Sequence, residues 1–187
     1  MTIKEIAVVD IETTALYPEE GTIIEVGICK LNLIDGSITK LIDSLIYEGD
    51  FDKDRDAHAW IFQNSSLSVE EVIYAPDWEL IRLKIREIFD RFPVVSYNTQ
   101  FDIGWLKSRG IYPIKELPDP MLLATPVLKL PPQNPEFGDY KWPSVQECWD
   151  HYFPNIPYKE DHRAYDDCVH EAQIIYAMFL RGHYKII

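Results

Sequence analysis

Apolar residues alternate with polar ones in three stretches near the start of the chain, Ile6 to Glu12, Thr22 to Leu33 and Thr39 to Tyr47. The period of two predicts three β-strands, and Asp35-Gly36 supplies a hairpin turn between the last two. From Trp78 to Phe92 the pattern becomes helical, with Ile81, Leu83, Ile85, Ile88 and Phe89 set among Arg82, Arg86, Glu87 and Arg91, and Pro93 ends it. Val94 to Tyr97 reads as a short buried strand. A helix from about Phe101 to Ser108 follows, with Phe101 and Trp105 at i, i+4. Asp119-Pro120 provides an N-cap and an N1 proline for another helix, and Ser144-x-x-Glu147 is a capping box for one that runs to about Tyr152. The final helix, about Tyr165 to Leu180, carries Cys168, Ala172, Ile175 and Phe179 on one stripe. Eight of the 13 prolines fall between Gly110 and Pro143, and Pro131-Pro132-Gln133-Asn134-Pro135 predicts an irregular loop.

Three strands, then alternating helix and strand, then a terminal helix predict an α/β domain with a mixed sheet. At 187 residues and 47% hydrophobic, the chain fits a single domain, 1–187, with its core over about 4–181. The early apolar run stops at Asp10, far short of the ~20 residues of a membrane span, so the expectation is a cytoplasmic protein without membrane contact. Cys29, Cys148 and Cys168 form no C-x-x-C pair and read as buried thiols.

The formal charge of −13 is unfavourable for a polyanion binder, so a phosphate-containing substrate would need positive charge from another source, bound divalent cations above all. The first strand points to such ions. Alternation puts Ile6, Val8, Asp10 and Glu12 on one face and Ala7, Val9 and Ile11 on the other. A strand apolar on both faces is a central strand, where paired carboxylates are costly unless they project past its end into water or share a cation. Two further acids recur in suitable places, Asp102 at the start of a helix and Asp167 in the first turn of the terminal helix. Four carboxylates from separate segments suit Mg²⁺ or Mn²⁺ rather than zinc.

Together, Asp10-Ile11-Glu12-Thr13-Thr14, Ile23-Ile24-Glu25-Val26-Gly27, Asn98-Thr99-Gln100-Phe101-Asp102 and His162-Arg163-Ala164-Tyr165-Asp166-Asp167 resemble the motifs of the DEDDh exonucleases, the family of bacterial proofreading subunits and ribonuclease T. The resemblance implies a ribonuclease H-like fold: a five-stranded mixed sheet of order 3-2-1-4-5, strand 2 antiparallel, flanked by helices. It implies metal ligands Asp10, Glu12, Asp102 and Asp167 for two divalent cations, with His162 as general base. The sister branch carries a tyrosine where this chain has Arg163.

The implied activity is 3′–5′ exonucleolytic hydrolysis of single-stranded DNA or RNA, releasing nucleoside 5′-monophosphates. A polymerase or another replication, repair or RNA-processing partner is compatible with it. Resemblance assigns the terminal nucleotide to Thr13, Ala15, Leu16, Asn98 and Phe101, the last equally readable as core. Many members have Gly at the Ala15 position and His at the Tyr97 position, and the His-Gly-Ile segment that many carry around Ile61 to Asn64 is absent. Trp60, Phe62 and Trp105 are candidate stacking surfaces, although packing is the commoner use of such residues. Arg82, Lys84, Arg86 and Arg91 read more readily as a solvated helix face than as a phosphate track. Glu25 reads as a structural hydrogen-bonding acid. The competing class is a non-catalytic accessory module on the same fold, which would need none of the five catalytic-type residues. Walker, dinucleotide-binding and serine-hydrolase motifs are absent.

Overall fold

The computed structural model describes residues 3–132, 134 and 138–186; Gln133 and Pro135 of the proline run lie outside them. The sheet contains β1 (Glu5–Thr13), β2 (Ile23–Asn32), β3 (Ile38–Leu45) and β4 (Val94–Val95), in the order β3-β2-β1-β4. Strand β2 runs antiparallel to both neighbours, and β4 pairs parallel to β1 through Ala7–Val94 and Val8–Val95.

The sheet is mixed, as the sequence predicts, but among the described residues it has four strands rather than five. In place of the fifth, a single parallel bridge joins Val94 to Glu116: Val94 N–H donates to Lys115 O and Leu117 N–H to Val94 O. Pro113 and Pro118 bracket that segment, and proline lacks the N–H that a longer ladder requires.

Each face of β1 is sealed by its own helical layer. Ile6 and Val8 join a core with Trp149 and Tyr152 of α7 (Val145–Tyr152) and Cys168, Ala172 and Ile175 of α8 (Ala164–Leu180). On the opposite face, Ala7, Val9 and Ile11 pack with Ile81, Ile85 and Phe89 of α4 (Trp78–Arg91) and with Ile103 and Leu106 of α5 (Thr99–Ser108). Leu83, counted in the apolar stripe of α4, faces solvent instead. The helix opened by Asp119-Pro120, α6 (Pro120–Leu128), continues through Pro126.

Three short helices go beyond the sequence prediction: α1 (Lys53–Asp56), α2 (Trp60–Asn64) and α3 (Val69–Ile73). Asp52 caps α1, and Ser68 with Glu71 forms a complete capping box on α3, so their start signals are legible. Each is too short to show a period. They are held by a small cluster of Ile24, Phe51, Ile61, Leu67 and Val72 beside the end of β2. The three cysteines are buried free thiols, as expected.

Candidate metal and active site

Beyond Val8, β1 outruns β4, and the acids gather at this uncovered end. Ala7 N–H donates to Pro93 O on the β4 side, and Ile11 faces the same way by the period of two. With no strand there to accept it, the Ile11 N–H donates to Asp102 Oδ1 at 3.2 Å, which ties the first turn of α5 to β1. Asn98 reaches that helix through a left-handed conformation, φ 64°, and the Thr99 N–H is accepted by Asp119 Oδ2 at 3.0 Å.

On the α8 face, Asp167 Oδ1 accepts from Tyr158 Oη at 3.0 Å and Oδ2 from Arg163 N–H at 3.1 Å. Ligand atoms of Glu12, His162 and Asp167 all lie within 4.8 Å of one another. Asp102 adjoins this trio closely enough that its charge raises the proton affinity of Glu12, and the charges of Asp102, Glu12 and Asp167 all raise that of Asp10. The structure therefore brings all five sequence-predicted residues to one end of β1.

Electrostatically, these acids are poised for a cation. Burial, followed by the Asp167 charge, pushes Glu12 up to about 9. Burial pushes Asp102 up to about 7 against the stabilising Ile11 hydrogen bond, and it raises Asp10 and Asp167 as well. The neighbouring guanidinium does not offset them, because Arg163 Nη2 is paired with Glu25 Oε1 at 2.8 Å. Glu25 also accepts the Ala164 N–H at 3.0 Å, which makes it the structural acid that the sequence suggests. Converging oxygen donors that cannot all ionise without compensation fit a hard divalent cation.

Two acids at this end escaped the sequence reading. Glu171, 3% exposed, accepts the Tyr97 N–H at 3.4 Å and raises the proton affinity of Asp10. Its signal was the i, i+4 spacing from Asp167 on α8. Glu160 is raised by burial and then by Asp167, and it has no periodicity to betray it.

No protein-family model matches the chain. Among curated proteins, the DNA polymerase III PolC-type of Clostridium perfringens is 26% identical over 171 residues, which are 91% of this chain but 11% of the polymerase. Among solved structures, E. coli Exonuclease I in complex with a dT13 oligonucleotide superposes with a TM-score of 0.69 at 13% identity, over 96% of this chain and 42% of that one. Cell-death related nuclease 4 gives 0.66 at 15% identity, covering 96% and 65%. A 3′-exonuclease that recognises the histone mRNA stem-loop gives 0.58 at 14%, covering 100% and 87%. The chain has the fold of these nucleases. It spans only about a tenth of the polymerase and less than half of Exonuclease I.

Against that fold, the candidate nucleotide contacts separate by exposure. Leu16, 75% exposed, stands on the turn after β1, where Thr13 Oγ1 donates to Ala15 O at 2.7 Å. Phe101 is half-buried against the α4–α5 core, its ring 6.3 Å from that of Trp105. Trp105 is 1% exposed, so this stacking candidate is a core residue. Phe62 packs against Phe51. Trp60 remains, 59% exposed, with its ring edge-on to His162 at 4.8 Å. Tyr97, at the position where many DEDDh members have His, is turned into the core and donates to Pro143 O at 2.8 Å. Among the described residues, no helix is long and apolar enough to cross a membrane.

Proposed function

We propose that the chain is a divalent-metal-dependent 3′–5′ exonuclease that hydrolyses the terminal phosphodiester of single-stranded DNA or RNA and releases nucleoside 5′-monophosphates. One observation carries the reading: Asp10, Glu12, Asp102 and Asp167 converge from three separate elements, within reach of His162, on a fold shared with exonucleases.

In this reading, Asp10, Glu12, Asp102 and Asp167 hold two Mg²⁺ or Mn²⁺ ions. When bound, the cations polarise the phosphodiester and acidify the attacking water. His162 takes the proton of that water, since an imidazole nitrogen offers a lone pair to accept it while the carboxylates are committed to the cations. Trp60 limits the swing of the His162 ring and offers its exposed face to an unpaired base. Thr13, Ala15, Leu16, Asn98 and Phe101 line the approach of the terminal nucleotide, with Leu16 the most exposed apolar group among them. A polymerase or another replication, repair or RNA-processing assembly is the kind of partner such an activity would serve.

The test is a ladder assay on 5′-labelled DNA and RNA of equal sequence, single- and double-stranded, with Mn²⁺ or Mg²⁺. Stepwise shortening of single strands is expected. Asp10→Ala and Asp167→Ala should each remove the activity while the fold survives, because buried like-charge repulsion is relieved. No degradation of any substrate, or more than about a tenth of the wild-type rate in both variants, overturns the reading in favour of an accessory module.

A further inference from the structure

Between α7 and α8 the chain runs without regular structure, and Tyr158 within it is half-buried. Its ring lies 4.4 Å from that of His170 on α8, at 39°, and 5.0 Å from that of Trp149 on α7, at 36°. Trp149 also stands 5.0 Å from His170, and its Nε1–H donates to Ile156 O at 2.7 Å, fixing the backbone two residues before Tyr158. His170 is held in turn, its Nδ1 bonded to Asp166 O at 2.7 Å. Two helices thus grip one ring, and the grip aims its hydroxyl at Asp167 Oδ1, 3.0 Å away.

We propose that Tyr158 is a positioning residue that sets the rotation of the Asp167 carboxylate and anchors the segment carrying His162; this rests on the exonuclease reading above. A carboxylate free to spin about its terminal torsion samples a broad range, and a single hydrogen bond to each oxygen stops it. Arg163 N–H holds Oδ2, and Tyr158 holds Oδ1. Each oxygen keeps a further lone pair for a cation. His162 is four residues beyond Tyr158, with its backbone in the left-handed region at φ 52°, so the aromatic grip also limits where the imidazole can stand. Tyr158 itself touches no reacting atom in this scheme.

The decisive variant is Tyr158→Phe, which keeps the ring and removes the hydroxyl. Mn²⁺ binding by calorimetry should weaken by roughly 10-fold or more, the effect usual for losing a group that orients a metal ligand. The rate constant kcat should fall by a similar factor with KM for a single-stranded oligonucleotide unchanged, and the melting temperature without metal should stay within about 2 °C of wild type. A variant that binds Mn²⁺ and turns over as the wild type does overturns the positioning role. So does one that melts early yet, when folded at low temperature, binds Mn²⁺ normally, since Tyr158 would then be a packing residue. Wild-type protein that neither binds Mn²⁺ nor cuts any substrate overturns the exonuclease reading and this inference with it.

Discussion

His162 combines an unusual backbone with an exposed aromatic neighbour: its φ of 52° is uncommon for a residue other than glycine, and the edge of the Trp60 ring lies against it. Such a conformation persists where surrounding contacts over-determine it, here the Arg163–Glu25 pair on one side and Trp60 on the other. If His162 is the general base, His162→Ala should lower the single-turnover rate by roughly 10²–10⁴ with little change in Mn²⁺ affinity by calorimetry. Its ring atoms also lie within ligand range of Glu12 and Asp167, so the opposite pattern, lost Mn²⁺ binding with an unchanged rate at saturating metal, would make it a ligand. Asp10 and Glu12 were legible because two acids on an otherwise apolar strand conflict with burial. Glu171 was not, because an acid in the middle of an amphipathic helix is unremarkable until the fold places it under Asp10.

At the level of elements, the site depends on how closely α8 approaches β2. Gly27 is the contact point: a β-carbon there would stand 2.2 Å from Ala164 O, inside the first turn of α8. Only a residue without a side chain lets the helix carry Asp167 to the end of β1. Gly27→Ala should therefore cost about 1–3 kcal/mol in denaturant unfolding and should remove most activity by displacing Asp167. Stability and activity both near wild type would show that α8 can shift without harm. The glycine was visible in Ile-Ile-Glu-Val-Gly, but its partner was not, since 137 residues separate Gly27 from Ala164. The same distance problem explains α1 to α3: the caps of α1 and α3 are written locally, while the apolar cluster beside them is assembled around Ile24.

Across the whole molecule, the crowded carboxylates predict an inverted pH response. Unfolded, Glu12 and Asp102 titrate near 4; folded, they are pushed up to about 9 and about 7. The folded state thus holds extra protons between those limits. The stability that these two groups contribute is fully present below about pH 4 and is lost as pH rises through about 7 and then about 9. In EDTA the melting temperature should fall from pH 5 to pH 9, and Mn²⁺ should restore most at the alkaline end, where cations replace the missing protons. A melting temperature that rises with pH in EDTA would contradict this.

The −13 balance bears on substrate binding as well. Arg82 pairs with Glu79, Lys107 with Glu116 and Arg109 with Glu48, so these three cations are already engaged by carboxylates. With 2–3 phosphate contacts, log affinity against log monovalent salt should fall with a slope near −2 for His162→Ala protein at fixed Mn²⁺, measured by anisotropy. A slope steeper than about −5 would reveal a basic track.

Hydrophobic period, capping residues and the four motif blocks determine by themselves that the chain is an α/β domain with β1 at its centre, and they name the acids. These signals are local: each concerns residues within one turn or one strand of each other. Tertiary structure alone decides that the fifth strand shrinks to one bridge between prolines, that Trp105 is core while Trp60 is exposed, and that Glu171 joins the acids. Only the structure brings Tyr158 to Asp167. These outcomes depend on which distant surfaces meet, and burial, proton affinity and hydrogen bonding are set by the neighbours a residue acquires in space rather than by those it has along the chain.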